Sequence, residues 1–226
     1  MKKIVSLIMC LCSVYANSQE GIPFFVNYPA SVYQAHNRNF DVVCDSCGNV
    51  YFANFEGILH YDYSRWETIY TPGFSRVTRL FRDSEGRIWV GGYNVFGRIE
   101  RDGRGCITLR TLLSDLDTNF LGELEDMAEI DKRIYLKATS GGYYTVQSDS
   151  ILAPVQVLPA QLQEKWRNQS SVSMNRAFSL PGGETISINS AHGLIMDDSG
   201  KKERFSVTER NGLCSNAVSG IAADGR

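Results

Sequence analysis

Four acidic side chains lie close together in the middle of the chain: Glu123, Glu125, Asp126 and Glu129. Two carboxylates held at a fixed separation can perform general acid–base catalysis, for example on a glycosidic bond. Nothing in the sequence fixes the separation of these four groups, and acidic clusters usually form solvated surfaces. We therefore interpret the cluster as a solvated face, keep a catalytic pair as the alternative, and predict no catalytic residue.

The cysteines and histidines provide a further test for metal or redox chemistry. Cys44 and Cys47 form a CxxC pattern, which occurs in zinc sites and redox-active proteins. No second CxxC and no neighbouring histidine would complete four zinc ligands, so we favour a pair that straddles a turn and leave its disulfide state open. The three histidines, His36, His60 and His192, fall in unrelated positions. We predict neither a metal nor a cofactor.

Aromatic side chains are the candidate ligand contacts. A sugar ring commonly binds to an aromatic face with polar neighbours, and six residues could serve: Trp66, Trp89, Tyr93, Tyr143, Tyr144 and Trp166. We expect Trp66 and Trp89 to pack between structural modules instead. The candidate ligand-binding residues are therefore Tyr93, Tyr143, Tyr144 and Trp166.

A recurring turn indicates the elements that position these residues. Residues 83–86 read Asp-Ser-Glu-Gly, in which Asp83 can accept hydrogen bonds from backbone N–H groups and Gly86 tolerates positive φ. Such a turn joins two antiparallel strands, which we predict over residues 77–81 and 87–91. Asp45 and Gly48 take the same roles 38 residues earlier, since 83 − 45 = 38 and 86 − 48 = 38.

The repeat continues along the chain. Val218, Ile221 and Asp224 match residues 77, 80 and 83 at a distance of 141, because 218 − 77 = 141, and weaker copies lie near residues 132–146 and 184–198. A period of roughly 40–50 residues with several short strands is typical of a β-propeller. We predict an all-β fold with about four and a half four-stranded blades of a seven-bladed ring: residues 40–70, 77–113, 124–157, 172–207 and the start of another over 217–226.

Finer features follow from the same pattern. In the first blade we predict strands over residues 40–44, 49–53, 58–61 and 66–70. Gly57 and Gly97 are predicted to end comparable tight hairpins, where a residue without Cβ is favoured. Residues 158–171 could hold a short helix between blades. Residues 19–39 form a lead-in segment, which we expect to add an outer strand to a neighbouring blade.

The first 18 residues have the features of a cleaved secretory signal. Lys2 and Lys3 precede a short apolar run and then small residues near Ala16 and Ser18. Loss of the two lysines changes the formal charge from −2 to −4, since −2 − 2 = −4. An acidic chain of this kind has no electrostatic footprint for nucleic acid. We predict export to the periplasm and no contact with nucleic acid.

Two motifs resemble a known repeat family. Residues 211–224, with the pattern NGLxSNxVxxIxxD, and residues 83–92, DSEGRIWVGG, are similar to the two-component regulator propeller repeat. Residues 29–102 resemble the exported sensor proteins of Bacteroidetes. In that group the propeller precedes an immunoglobulin-like triple-tyrosine domain, a membrane span and a histidine kinase or helix-turn-helix output. The resemblance implies a longer, dimeric parent protein anchored in the inner membrane, and four and a half blades imply a truncated ring.

The sequence leaves three functions to weigh. The resemblance implies a periplasmic sensor domain that binds a glycan fragment or another nutrient, because loops on a rigid scaffold usually carry recognition. The alternative is an exported binding or assembly module without signalling output. An exported propeller enzyme is less favoured, since the sequence has no glycine-rich phosphate loop, no GxSxG and no HExxH. Any kinase activity would belong to a portion outside these residues.

Overall fold

The computed structural model describes residues 26–113, 121–147, 151–168, 177–179, 184–189, 193–198, 204–215, 218 and 220–222. Within these ranges the strands form four four-stranded sheets, each built from strands consecutive in the chain. Neighbouring strands in a sheet are antiparallel. Four such meanders in succession are propeller blades, so the predicted all-β propeller fold is confirmed. The predicted signal segment, residues 1–18, lies outside the described residues.

The first two blades contain eight strands. Blade 1 consists of β1 (Asn39–Cys44), β2 (Val50–Asn54), β3 (Gly57–Tyr61) and β4 (Trp66–Ile69). Blade 2 consists of β5 (Val77–Arg82), β6 (Ile88–Gly92), β7 (Val95–Arg101) and β8 (Ile107–Thr111). The strands predicted for blade 1 differ from the observed ones by at most one residue at each end, because the turn residues fix where pairing stops.

The next two blades follow the same plan. Blade 3 consists of β9 (Leu124–Ile130), β10 (Arg133–Ala138), β11 (Tyr143–Gln147) and β12 (Ile151–Pro154). Blade 4 consists of β13 (Ala177–Ser179), β14 (Glu184–Asn189), β15 (Gly193–Asp198) and β16 (Arg204–Val207). The predicted interblade helix is present as α2 (Ala160–Asn168), and the four-residue helix α1 (Ala30–Tyr33) precedes blade 1.

The meander gives each blade two different ends. The turns between the first and second strands, and between the third and fourth, lie at one end; in blades 1 and 2 these four turns begin at Asp45, Asp62, Asp83 and Asp102. We call this end the aspartate rim. The hairpins between the second and third strands lie at the other end, together with the segments that connect one blade to the next. We call that end the linker rim.

Apolar side chains fill the spaces between neighbouring blades. One core lies between blades 1 and 2 and includes Ile58, Val77 and Val90, each fully buried. A second core lies between blades 2 and 3 and includes Trp89 and Leu136. Blade 2 is packed between blades 1 and 3, so its strand β6 is buried along its whole length and shows no alternation.

The lead-in segment, predicted to add an outer strand, is described only from residue 26 onward, and its residues 19–25 lie outside the described residues. Residues 26–38 contain α1 and no strand, and they cover the face of blade 1 that is turned away from blade 2. Tyr33 packs its ring 5.4 Å from Trp66, and the hydroxyls of Tyr28 and Tyr61 form a hydrogen bond at 3.0 Å. Rings that project from this face would otherwise be exposed, which explains why residues 26–38 pack on the sheet.

The helix α2 covers part of blade 3. Leu162 and Trp166 of the helix pack on Ala128 and Tyr135, which belong to the blade face opposite blade 2. The indole N–H of Trp166 donates to a carboxylate oxygen of Asp126 at 2.8 Å. The helix is therefore attached to the blade by both apolar and polar contacts.

The two glycines predicted to end comparable hairpins have different roles. Gly57 begins β3 with φ of 139°, and a Cβ there would lie 2.5 Å from the carbonyl oxygen of Ile69. Gly97 lies inside β7 instead of at a turn, where a Cβ would collide with the carbonyl oxygen of Arg110. The hairpin prediction is therefore wrong for Gly97. A glycine is needed at this position because the neighbouring strand β8 lies too close for a Cβ.

The described residues that follow blade 4 return to blade 1. The side-chain amide of Asn27 donates to the carbonyl oxygen of Gly212 at 2.6 Å. A Cβ on Gly220 would lie 3.2 Å from a methyl carbon of Val42 in β1. Residues 218 and 220–222, predicted to start another blade, are in no strand. Gly220 in this segment contacts β1 of blade 1, and the rest of the predicted strand start lies outside the described residues.

Candidate functional site on the linker rim

The aspartate rim is held by repeated side-chain contacts to the backbone. One carboxylate oxygen of Asp83 accepts the N–H groups of Glu85 at 3.0 Å and Arg87 at 2.8 Å. Asp45 and Asp102 accept the equivalent pairs of N–H groups in their own turns. The glycines that complete these turns have φ between 82° and 88°. The predicted Asp-to-Gly turns are therefore present, and a third one accompanies them.

The carboxylate of Asp83 is the most enclosed of these groups. Its side chain has no exposed area, and its second oxygen accepts the indole N–H of Trp89 at 2.8 Å and the guanidinium of Arg87 at 2.6 Å. Burial would raise the pKa of Asp83, but the hydrogen bonds from Trp89 and Arg87 outweigh it and hold the pKa below its usual range. This carboxylate stabilises the turn and is not accessible to a ligand.

The linker rim repeats one backbone contact in three blades. The N–H of Phe55 donates to the carbonyl of Arg38 at 3.2 Å. In blade 2 the N–H of Tyr93 donates to the carbonyl of Arg76 at 3.2 Å, and in blade 3 Thr139 takes the same position. Phe55 and Tyr93 are equivalent, since 93 − 55 = 38, and their side chains are 40% and 48% exposed. Two neighbouring blades thus present an aromatic ring at the same place.

Polar groups adjoin the ring of Tyr93. The guanidinium of Arg76 lies 5.4 Å from the centre of that ring and donates two hydrogen bonds, both 3.1 Å long, to the carboxylate of Glu123. The hydrogen-bonded Glu123 raises the pKa of Arg76. An aromatic face beside a fixed cation and a carboxylate offers stacking and hydrogen bonding to one ligand.

The linker between blades 1 and 2 exposes two more rings. Phe74 is 75% exposed, Tyr70 is 55% exposed, and their ring centres are 5.5 Å apart in an edge-on arrangement. The backbone of Phe74 has φ of 54°, which is unfavourable for a bulky residue. The hydroxyl of buried Thr71 donates to the carbonyl of Ser75 at 2.6 Å and closes the linker. The linker therefore holds Phe74 outward in a fixed conformation.

Two clefts also open near this rim. The larger, of about 630 Å³, lies between β1 and residues 213–215, 218 and 220; its polar lining includes Asn27, His36, Arg38 and Asp41. The smaller, of about 440 Å³, lies between α2 and the chain that leads into it; its lining includes Tyr143, Val157, Trp166 and Arg167. Both clefts have apolar and polar walls, as small-molecule sites commonly do.

The structure separates the four predicted ligand-binding residues. Tyr93 is exposed on the linker rim, whereas Tyr143 and Trp166 stack in the smaller cleft with ring centres 5.5 Å apart. Trp166 is only 4% exposed, so it supports the ring of Tyr143 from behind. Tyr144 points into the core between blades 2 and 3 and is 6% exposed. The prediction that Tyr144 contacts ligand is therefore wrong.

The two tryptophans expected to pack between blades behave differently. Trp89 is 1% exposed in the core between blades 2 and 3, stacked on Phe96 at 5.6 Å, as predicted. Trp66 instead stacks on Tyr61 at 4.4 Å beneath the lead-in segment. Its position on the outer face of blade 1 is the reason for the difference.

The acidic cluster joins neighbouring elements and is not a simple solvated face. Glu129 accepts hydrogen bonds from the backbone N–H and the hydroxyl of Ser84 in blade 2, at 2.7 and 2.6 Å. Glu125 pairs with Lys137 at 2.9 Å, and Asp126 pairs with Lys165 at 3.2 Å. Glu123 contacts Arg76, as described above. Each carboxylate thus has its own cationic or hydrogen-bonding partner.

The cysteines are thiols in this structure. Cys44 is buried at the end of β1, and Cys47 is exposed inside the first aspartate turn, so only Cys44 flanks the turn. Among the residues that the structure describes, no group of three or more His, Cys, Asp or Glu side chains is arranged to hold a metal ion. His192 lies outside the described residues.

Sequence reasoning missed Phe55 as a rim residue. The 38-residue period that identified the turns also relates Phe55 to Tyr93, and Arg38 to Arg76, since 76 − 38 = 38. Applying the period to every residue of the first two blades, instead of to the turns alone, would have placed Phe55 on the same rim.

These features define a β-propeller with one rim fixed by aspartate turns and an opposite rim that exposes aromatic and charged side chains. Residues 72–94 match the family model described as two component regulator propeller. The match runs from the linker that holds Phe74 through β5 and β6 to the hairpin that carries Tyr93. Residues 72–94 are therefore similar to the two-component regulator propeller repeat, as the motif at residues 83–92 predicted.

Solved structures similar to the chain include extracellular domains of two hybrid two-component systems of B. thetaiotaomicron. That of BT3049 is 16% identical, with a TM-score of 0.40, over 80% of this chain and 24% of the other. That of BT4673 is 12% identical, with a TM-score of 0.44, over 82% of this chain and 27% of the other. The chain thus spans about a quarter of the length of these domains. No curated protein matches the chain.

An enzyme is also among the similar structures. Virginiamycin B lyase from Staphylococcus aureus is 13% identical, with a TM-score of 0.39, over 74% of this chain and 54% of the other. At this level of similarity no activity can be transferred to the chain. In the part of the chain that the structure describes, no helix has the length and apolar character needed to span a membrane.

Proposed function

We propose that the chain is a ligand-sensing segment of an exported signal-transducing regulator, and that its linker rim binds the ligand. The observation that carries this proposal is the repeated rim position of Phe55 and Tyr93, exposed in neighbouring blades. A chain that needed only a stable ring could place polar residues there, as blade 3 does with Thr139. Exposed rings at equivalent positions of rigid blades suit a ligand that contacts both blades.

The chemistry of the rim supports a carbohydrate or a similar polar ligand with apolar faces. The ring of Tyr93 can stack on such a face while Arg76 and Glu123 exchange hydrogen bonds with hydroxyl groups. These side chains bind a ligand and do not transform it, so the proposed function is not enzymatic. Signal transmission then requires that ligand binding favour one arrangement of the blades over another.

The rest of the proposal concerns the parent protein. We propose that it is located in the periplasm with an anchor in the inner membrane, and that further blades, output domains and a second copy are its partners. The family match at residues 72–94 supports this proposal. A two-component or helix-turn-helix output would then report the occupancy of the rim.

The test is a binding screen on the exported region of the protein with a panel of oligosaccharides, followed by titration calorimetry of the best ligand. We expect Phe55→Ala and Tyr93→Ala each to weaken binding about tenfold, which corresponds to the loss of a stacking contact of about 1.4 kcal/mol. The matched control is Tyr63→Ala, because Tyr63 is 55% exposed but lies on the aspartate rim. Equal losses in all three variants, or no binding across a broad panel, would contradict the proposal.

A further inference from the structure

A histidine is buried between blades 1 and 2 without a hydrogen bond. His60 in β3 is 3% exposed and lies on the same face of the strand as Ile58, which packs in the core between the two blades. Neither ring nitrogen of His60 has a hydrogen-bonding partner among the described residues. A neutral imidazole carries one N–H donor and one acceptor, so both are left unsatisfied at a cost to stability.

The strands on either side of β3 do not satisfy this ring. Tyr51 in β2 lies against it with ring centres 4.9 Å apart, but the Tyr51 hydroxyl donates to Asp45 at 3.3 Å. Glu67 in β4 approaches the Nδ1 atom of His60 only to 3.9 Å, and its side chain is 41% exposed. The ring of His60 is therefore enclosed by side chains whose polar atoms do not form hydrogen bonds with it.

Charges from three elements of blade 1 and one of blade 2 act on the ring. Asp62 and Glu67 favour its protonated form, as does the more distant Asp45, while Arg101 in β7 of blade 2 opposes it. Burial is the largest influence and lowers the pKa of His60. Burial also raises the pKa of the adjacent Tyr51 to about 12, with Asp45 as the next contribution. Both groups thus resist acquiring charge where they are.

We propose that His60 makes the packing between blades 1 and 2 sensitive to acid. A protonated imidazole has two N–H donors, and in the present packing neither has an acceptor within hydrogen-bonding distance. Water reaches the protonated ring when blade 2 separates from β3. Blade 1 carries Phe55 and blade 2 carries Tyr93, so this movement changes the distance and orientation between the two rings on the linker rim. Acidification then acts on the same pair of blades that a ligand contacts.

The direction of the pH effect follows from linkage. Because the pKa of His60 is lower in the folded chain than in the unfolded chain, the unfolded chain binds the proton first as the pH falls. The packing is fully stable above the ordinary histidine pKa of about 6.5 and weakens as the pH falls through that value toward the lower folded pKa. This behaviour does not depend on which ligand the rim binds.

The test is hydrogen exchange of the intact chain at pH 7.5 and pH 5.0, corrected for intrinsic rates, with peptides that cover β2, β3 and β7. We expect roughly tenfold faster exchange at the lower pH in the wild type. His60→Phe keeps the ring against Tyr51 but cannot be protonated, so the increase is lost. The control His192→Gln removes another histidine and retains the increase.

An NMR titration of the His60 ring in the wild type keeps the proposal testable if the phenylalanine variant folds poorly. We expect its midpoint below the ordinary histidine range, together with shifts in the signals of blade 2. The proposal is overturned if His60→Phe shows the same acid response as the wild type, or if His60 titrates without any change in blade 2.

Discussion

Asp41 in β1 and Arg79 in β5 occupy the same position in neighbouring blades, since 79 − 41 = 38. Each bonds to the first strand of the next blade, and the two side chains carry opposite charges. The carboxylate of Asp41 accepts the backbone N–H of Leu80 in blade 2 at 3.2 Å. The guanidinium of Arg79 donates to the backbone carbonyl of Glu125 in blade 3 at 2.6 Å. Both residues lie at an irregularity in the strand pairing, between β1 and β2 for Asp41 and between β5 and β6 for Arg79. Either charge can therefore connect two blades, because a carboxylate accepts from a peptide N–H group and a guanidinium donates to a peptide carbonyl.

Removing the Asp41 side chain should loosen the contact between blades 1 and 2. Asp41 is 7% exposed, so Asp41→Ala leaves the N–H of Leu80 without this buried acceptor and should destabilise the chain by about 2 kcal/mol. Asp41→Asn retains an acceptor oxygen and should cost less. Urea denaturation measures both, with exposed Glu56→Ala as the control. Equal effects of Asp41→Ala and Glu56→Ala on the free energy of unfolding would show that the hydrogen bond between the blades does not stabilise the chain.

The aspartate turns should differ in their contribution to stability according to burial. Asp83 holds two backbone N–H groups, the Arg87 guanidinium and the Trp89 indole, whereas Asp102 is exposed and holds two backbone N–H groups. We expect Asp83→Ala to cost about 3 kcal/mol and Asp102→Ala about 1 kcal/mol. The comparison uses thermal unfolding of the two variants. A loss at Asp102 as large as at Asp83 would contradict the role given to the buried partners.

The lowered pKa of Asp83 predicts part of the acid sensitivity of the chain. Its folded pKa lies below the unfolded value of about 3.9, so its contribution to stability is present above that value and is lost as the pH falls through the folded pKa. Melting temperatures measured from pH 7 to pH 2.5 should therefore fall less steeply at the acid end in Asp83→Asn than in the wild type. Parallel curves for the two proteins would show that Asp83 does not carry this effect.

Regular features of the sequence predicted the first two blades closely, and the same regularity explains what was missed. Asp45, Asp83 and their glycines set the ends of strands because turn chemistry is local. The role of Gly97 depends on the carbonyl of Arg110 in another strand, which no local pattern reveals. The position of the lead-in segment likewise depends on rings that blade 1 leaves uncovered.

The candidate site was less predictable than the fold. Blade 3 has apolar residues on both faces, one toward blade 2 and one toward α2, so the sequence gives no sign that Tyr144 points into a core while its neighbour Tyr143 lines a cleft. Tyr93 could be predicted as a rim residue because it directly follows the end of β6. The partners of Glu123, Glu125, Asp126 and Glu129 are contributed by four separate segments of the chain, and only their assembly in space shows that each carboxylate has a partner.

Trp166 should matter for the attachment of α2 and not for ligand binding on the linker rim. Trp166→Phe keeps a ring against Tyr143 but removes the hydrogen bond to Asp126, which should destabilise the chain by about 1 kcal/mol. Proteolysis near residues 155–168 should become faster, because the helix separates from blade 3 more readily. A variant that is as resistant as the wild type, or that loses ligand affinity as Tyr93→Ala does, would refute this assignment.

Two glycines of blade 2 provide a matched pair for testing close packing between strands. A Cβ on Gly97 would collide with the carbonyl oxygen of Arg110 in the paired strand β8, so Gly97→Ala must push the two strands apart or bend one of them. Such overpacking typically costs 1–3 kcal/mol. Gly103 lies in the exposed turn of the same hairpin, and a Cβ there meets no atom within 4 Å. Gly103→Ala should therefore change stability by no more than about 0.5 kcal/mol, the usual limit for surface substitutions. Urea denaturation of the two variants side by side measures the difference, and similar stabilities would show that β7 and β8 can move apart without cost.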